Sequence, residues 1–329
     1  MIALPSLPLA IFRLHFQTDQ DFAVRFPGSA WRGALGHHLR QLACLTGARD
    51  CSGCGEIQRC SYSYIFDTPV PPDALKMRRY TQAPHPFILR EERPGHDFLH
   101  LYLTLIGRAN AQLPLMVLAL NRAALNRLGI NGRQMKLLAV DQQDENTIWH
   151  RIDQPGGALT ALPPKTPLIP LLNDGPVVIE FLSPLRVKRA GHHVRPQDFQ
   201  FADLFSSLLR RISMLTTFHT ENAFETDFRA LMEAAWKVPV DTSLHWVDLP
   251  RHSFRQQADM NLGGVMGSLK LGSAELVPFW PILWLGQYTH AGGAATMGLG
   301  HYTVRQAASL REGVHDVQMD DTGGIASPL

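Results

Sequence analysis

Four cysteines fall in one short window of this sequence, Cys44, Cys51, Cys54 and Cys60, around a central C-x-x-C. Thiolates at that spacing suit a tetrahedral zinc site, and the alternative is a set of reduced, unliganded thiols. A catalytic thiol is not indicated, because no Cys-His-Asn arrangement accompanies the window. A second concentration of unusual residues is "HAGGAATMGLGHY", where Gly292, Gly293, Gly298 and Gly300 lie between His290 and His301. Backbone so poor in side chains can adopt positive φ and turn several N–H groups toward an anion, or it can simply build a long turn. No Gly-Lys-Ser/Thr is present, and the glycines follow a helix and precede a strand. Neither the P-loop nor the dinucleotide fingerprint has that order. A third stretch, "PLRVKRAGHHVRP", carries Arg186, Lys188, Arg189, His192, His193 and Arg195 without an acid. It reads as a phosphate-binding surface or as a solvated charged hairpin. Arg251, His252 and Arg255 in "PRHSFRQ" and Lys270 in "GGVMGSLKLG" add cations to neighbouring strands.

The elements that position these groups follow from periodicity. "AIFRLHFQ" alternates, with Phe12, Leu14 and Phe16 on one face and Arg13 and His15 on the other, as a half-buried strand does. "FPGSAWRGALGHHLRQLACLTG" fits a helix capped by Ser29 and stopped at Gly47, with Trp31, Leu35, His38, Leu42 and Leu45 as its apolar stripe. "PFILRE" and "DFLHLYLTLIGR" are strands, "LPLMVLALNRAALNRLG" a helix and "QMKLLAVDQ" a strand. The order is β-α-β-β-α-β, the ferredoxin-like arrangement. After a Pro/Gly-rich passage the order repeats, from "VVIEFLSPLRVK" through "DFQFADLFSSLLRRISMLTTF", an extra helix in "FETDFRALMEAAWK", a strand pair and "VPFWPILWLGQYTH" to "HYTVRQ". The expectation is an α+β chain of two tandem ferredoxin-like domains. They span 1–152, with a Cys-rich insert at 44–66, and 177–308, joined by a linker at 153–176 and followed by an acidic disordered tail at 309–329.

At 329 residues, 45% hydrophobic and 18% charged, the chain has globular composition. Four acids and no Lys or Arg follow Arg311, so the formal +2 of the whole chain becomes +6 over residues 1–311. A mildly basic body permits a polyanionic partner. The start, broken by Pro5 and Pro8, is not a signal peptide, and no apolar run is long enough to span a bilayer. The cytoplasm is the expected location, where disulfides are rare.

With these residues in view, "LWLGQYTHAGGAATMGLGHYTV" resembles the C-terminal glycine-rich loop of the RAMP superfamily of CRISPR-associated proteins. The likeness is strongest to the endoribonucleases that process precursor CRISPR RNA, the Cas-six family. "WRGALGHHLRQLAC" is similar to the Arg-Gly helix start of one branch, and "CSGCGEIQRCSYSYIFDTP" to the Cys-rich loop after it. "SPLRVKRAG" and "LHWVDLPRHSFRQ…GGVMGSLKL" resemble the first strand and middle hairpin of the second domain. Ala294 and Ala295 stand where relatives often carry Lys and Thr.

The resemblance implies metal-independent cleavage of RNA within the repeats, with no catalytic cofactor. The 2′-hydroxyl attacks the adjacent phosphate, giving a 2′,3′-cyclic phosphate and a 5′-hydroxyl. Such a step needs a base, an acid and donors for the phosphorane, and histidine titrates in the right range. Relatives draw a histidine from the first helix. Here His38 lies on the apolar stripe and His37 on the polar side, so His37 is the preferred candidate and His38 the second. Arg32, near the helix start, is the expected phosphate contact. The RNA hairpin would meet Arg186, Lys188, Arg189, His192, His193, Arg195, Arg251, Arg255 and Lys270. His290, Gly292, Gly293, Gly298 and Gly300 would lie against its strand. Zinc on the four cysteines would be structural, pinning the loop 47–66 to the helix that carries His37. The implied partners are repeat RNA and other CRISPR effector subunits; the rival reading is a non-catalytic RAMP-fold RNA-binding subunit.

Overall fold

The computed structural model describes residues 4–18, 27–48, 50–70, 83–126, 134–253 and 258–306. The expected tail at 309–329 and Arg255 lie outside them. In chain order the first unit contains β1 (Leu9–Thr18), α1 (Gly28–Ala43), β2 (Phe87–Glu92), β3 (Phe98–Ile106), α2 (Leu113–Leu125), β4 (Met135–Gln143) and β5 (Trp149–Arg151). Its antiparallel sheet runs β2-β3-β1-β4-β5. Alternation decides which face is covered. Phe12, Leu14 and Phe16 of β1 and Leu99, Leu101, Leu103 and Leu105 of β3 are all buried under α1 and α2. Each such side chain contributes about 1.5–3 kcal/mol over its exposed state.

Helix α1 differs from expectation at both ends. Pro27, not Ser29, is the cap residue, and its carbonyl accepts from the amides of Ala30 and Trp31. At the other end the helix stops at Ala43, so Leu45 falls off the stripe and is 91% exposed. Leu39 takes the buried place beside Trp31, Leu35 and His38.

The second unit contains β6 (Pro176–Leu185), the short hairpin β7 (Lys188–Arg189) and β8 (His192–His193), α3 (Phe201–His219) and α4 (Phe228–Ala235). It continues with β9 (Asp241–Val247), β10 (Pro250–Ser253), β11 (Ala258–Asn261), β12 (Gly264–Gly272), α5 (Ser273–Leu276), α6 (Trp280–Thr289) and β13 (Tyr302–Gln306). Helix α3 begins in a capping box between Gln200 and Asp203, and Asp227 caps α4 through the amide of Ala230. The sheet order β13-β6-β12-β9 repeats the β4-β1-β3-β2 order of the first unit. The chain is therefore a tandem of ferredoxin-like domains.

The passage expected as a linker is fastened to both units. Leu9 and Lys165 exchange backbone hydrogen bonds, and Gln142 holds both the amide and the carbonyl of Leu162. Further along, Trp280 donates to the carbonyl of Pro170, and Asn173 donates to Gln306. Direct contacts also join the units. A Cβ on Gly28 would strike the carbonyl of Met297, and one on Gly107 would strike that of His219. Arg108 donates to the carbonyl of Phe218 at 2.8 Å, and the His219 Nε2–H to that of Pro84 at 2.8 Å.

Candidate active site and nucleic-acid interface

The helical faces of α1 and α2 enclose an open cleft of about 470 Å³ lined by His37, His38, Gln41, Arg122 and Asn126. Helical spacing sends the two adjacent histidines different ways. His37 is exposed, while His38 is buried among the stripe residues, and the rings meet edge to face at 5.0 Å. Burial and the neighbouring His37 lower the His38 pKa, and its Nδ1 lies 3.1 Å from Gln41 Oε1. Arg122 and Asn126, from the end of α2, are additions that no pattern local to α1 reveals. They provide a cation and a polar amide beside an exposed imidazole, the components of proton transfer next to a phosphate.

Arg32 is not in this cleft. Its guanidinium turns inward, 5.2 Å over Phe66 and 3.3 Å from His85 Nε2. His85 is held to Thr68 at 3.1 Å, and burial, then the Arg32 charge, push its pKa down to about 3. The phosphate contact expected at the helix start therefore lies apart from the His37 cleft. Arg32 belongs to a polar seam between the units, along with Arg211, His219, His290 and His301. Burial holds His219 and His301 down to about 4 and lowers His290 well below its ordinary value.

The glycine-rich loop is packed rather than open. His290, at φ 57°, is buried; its Nδ1–H donates to the carbonyl of Leu299, and its ring stacks on His301 at 4.8 Å. The amides expected to cradle an anion are engaged within the protein. Gly292 donates to Ser207, Gly293 to Arg186, Gly298 to Ala295 and Gly300 to Pro184. Gly298 (φ 83°) and Gly300 (φ 67°) also admit the carbonyls of Leu89 and Ala291 where a Cβ would sit. The absent side chains thus make room for the protein's own backbone, and the loop wedges between β2 and α1. Of the run, Gly293 is exposed and Gly292 and Ala294 are half-buried.

That tip touches the basic hairpin through Arg186, whose carbonyl accepts from Gly293 at 2.8 Å. Along the hairpin Lys188 pairs with His193 and Arg189 with His192 in register. Lys188, His192 and Arg195 are exposed, and Arg186, Arg189 and His193 are half-buried. Arg189 is spent on the carbonyl of Asp198, Gln200 and Asp203. Lys270 is exposed on β12, and Arg251 lies on β10, of which only the backbone is described. Trp246 on β9, absent from the sequence reading, meets this surface through Arg195 and His193.

All four cysteines line one cavity of about 340 Å³ and are free. They are not gathered as ligands. Thr46 Oγ1 stands 3.8 Å from Cys44 and 3.6 Å from Cys54, whereas Cys60 faces the carbonyl of Ala43 at 3.9 Å. Burial, then a hydrogen bond with Asp67, raises the Cys51 thiol to about 11. Among the described residues no group of three or more His, Cys, Asp or Glu side chains is placed to hold a metal. The zinc expectation finds no support in this arrangement.

One polar constellation escaped the sequence reading. On the sheet face opposite the helices, Asp141 accepts from Arg13 at 2.9 Å and from Arg151 at 2.7 Å, and lies 2.6 Å from His15 Nε2. His15 Nδ1 is 3.1 Å from His100 Nε2. Burial alone would raise the Asp141 pKa, but these hydrogen bonds outweigh it and hold the carboxyl at about 2. Alternation placed Arg13 and His15 on this face, yet their partners come from distant strands.

A family model for an N-terminal domain matches residues 7–164, and the model for the CRISPR-associated endoribonuclease Cas6 matches residues 179–302. No curated protein matches the sequence. Among solved structures, the product complex of Cas6 (TTHB231) from Thermus thermophilus is 14% identical with a TM-score of 0.55, covering 91% of this chain and 99% of that one. The product complex of Cas6 (TTHA0078) is 16% identical with a TM-score of 0.50, covering 91% and 100%. A partial Cas6-RT-Cas1–Cas2 complex is 15% identical at a TM-score of 0.50, covering 93% of this chain and 47% of that one. Among the described residues no helix is long and apolar enough to cross a membrane. The model for the CRISPR-associated endoribonuclease Cas6 thus spans the second of two tandem ferredoxin-like domains, and the solved Cas6 structures share the fold of the chain.

Proposed function

We propose that this protein is an endoribonuclease of the Cas6 kind that cuts precursor CRISPR RNA within its repeats, using the substrate's own 2′-hydroxyl as nucleophile. The observation that carries the reading is exposed His37 beside Arg122 in the open cleft between α1 and α2. His37 takes the 2′-hydroxyl proton as the 2′-oxygen bonds to phosphorus. The bond from phosphorus to the 5′-oxygen breaks, and that oxygen leaves with a proton delivered from solvent or a protonated histidine. The products are a 2′,3′-cyclic phosphate and a 5′-hydroxyl, and no metal takes part. Arg122 faces the charge that builds on the phosphorane, where a cation is worth several kcal/mol of barrier. His38, neutral and buried against Gln41, orients its neighbour rather than reacting.

The stem of the repeat hairpin lies along Lys188 and Lys270, exposed cations that attract phosphates without reading sequence. The glycine-rich loop serves by fixing that hairpin against the first domain. Other CRISPR subunits are the expected protein partners.

Incubating the purified protein with repeat RNA in EDTA tests the reading. A cut at one position within the repeat is the expected result. Tight binding without cutting would make the chain a non-catalytic RNA-binding subunit instead.

A further inference from the structure

Arg195 differs from the other arginines of the basic hairpin. It is exposed just past β8, with its guanidinium carbon 3.9 Å from the centre of the Trp246 ring. Among the described residues it makes no ion pair and no side-chain hydrogen bond. By contrast, Arg189 gives its N–H groups to Asp198 and Gln200, and Arg186 approaches His193 at 3.4 Å.

The indole beneath Arg195 is fixed from several sides. Trp246 Nε1–H donates to Asp248 at 3.0 Å, and the His193 ring meets the indole at 6.3 Å and 65°. On the remaining side lies Gly263, where a Cβ would run into the indole ring. The guanidinium of an exposed side chain therefore rests against a well-held indole, at a distance suited to a cation–π contact.

A planar cation presented this way matches an unpaired nucleobase. Bases stack on guanidinium planes as they do on aromatic rings, and the same group can bond a phosphate through its edge. Double-stranded RNA offers no free base face, so an extended strand beside a stem is what the geometry suits. Its position at the end of a cationic hairpin supplies the charge complementarity. We infer that Arg195, held against Trp246, stacks on an unpaired base of the RNA flanking the repeat stem. This rests on the RNA-processing reading above.

The test uses the full chain and two labelled RNAs: the repeat hairpin with its unpaired flank, and the same RNA with abasic flank nucleotides. Both carry the same phosphates. Wild-type protein should prefer the RNA with bases by about fivefold or more, the scale of one stacked base. Arg195→Lys, which keeps the charge and loses the plane, should bind both alike, and Trp246→Leu should do the same. If Arg195→Lys keeps the wild-type preference, or wild type shows none, the stacking site is wrong while the RNA reading stands. If wild type binds neither RNA, the RNA reading itself fails.

Discussion

Gly28, at the start of α1, meets Met297, in the glycine-rich loop, backbone against backbone; the carbonyl of Met297 occupies the place a Cβ on Gly28 would need. This contact ties the second domain to the helix that carries His37. Gly28→Ala sets two effects against each other. Helix propensity favours Ala by up to about 1 kcal/mol, while forcing a methyl group into the packed backbone costs about 1–3 kcal/mol. The collision should win, lowering stability in denaturant unfolding. A net gain in stability would mean that the two domains are not packed there.

His37→Ala should reduce the single-turnover cleavage rate by about 10²–10⁴, the usual contribution of a positioned acid or base. Binding of the same RNA should change little, because the stem is held elsewhere. An unchanged rate would remove His37 from the chemistry. Arg122→Gln should lower the rate with a similarly small effect on affinity.

The buried histidines make stability depend on acidity. His85, His219 and His301 sit well below their ordinary pKa of 6.5, at about 3, 4 and 4, chiefly through burial. Between those values and 6.5 the unfolded chain binds protons that the folded chain refuses. Stability should be level above about pH 7 and decline as pH falls from 6.5 toward 4. Each histidine contributes up to about 1.4 kcal/mol per pH unit. Urea unfolding at pH 7.5, 6 and 5 checks this, and His219→Gln should shallow the decline. Constant stability down to pH 5 would contradict the buried seam.

Asp141 acts in the same direction, over a more acidic range. Its carboxyl, held at about 2 by Arg151, Arg13 and His15, supports folding above its ordinary 3.8, and that support disappears as pH falls through 2. Asp141→Asn should cost about 1–3 kcal/mol at neutral pH, because it removes the charge and turns one acceptor oxygen into an NH2 donor facing other donors. A neutral effect would show that the constellation adds nothing to the sheet.

The two domains were legible because burial follows short periods. Leu99, Leu101, Leu103 and Leu105 and the helically spaced apolar residues of Phe201–Leu215 are all buried as expected, although Thr104 is buried as well. The same logic separated exposed His37 from buried His38. What periodicity does not carry is which distant group fills a given space. Glycines alone do not distinguish room for a ligand from room for another stretch of backbone, and Gly298 and Gly300 are filled by Leu89 and Ala291. Likewise Arg32 belongs to His85, fifty-three residues away, and Arg195 to Trp246. Such pairings depend on how strands and loops meet.

The most direct measurement uses repeat RNA bearing a single 2′-deoxy nucleotide at the cut position, in EDTA. Unmodified RNA should be cut there, leaving a 2′,3′-cyclic phosphate, and the deoxy RNA should be bound as tightly but stay whole. Cleavage of the deoxy RNA at the same rate, or cleavage only when a divalent metal is supplied, would contradict this chemistry.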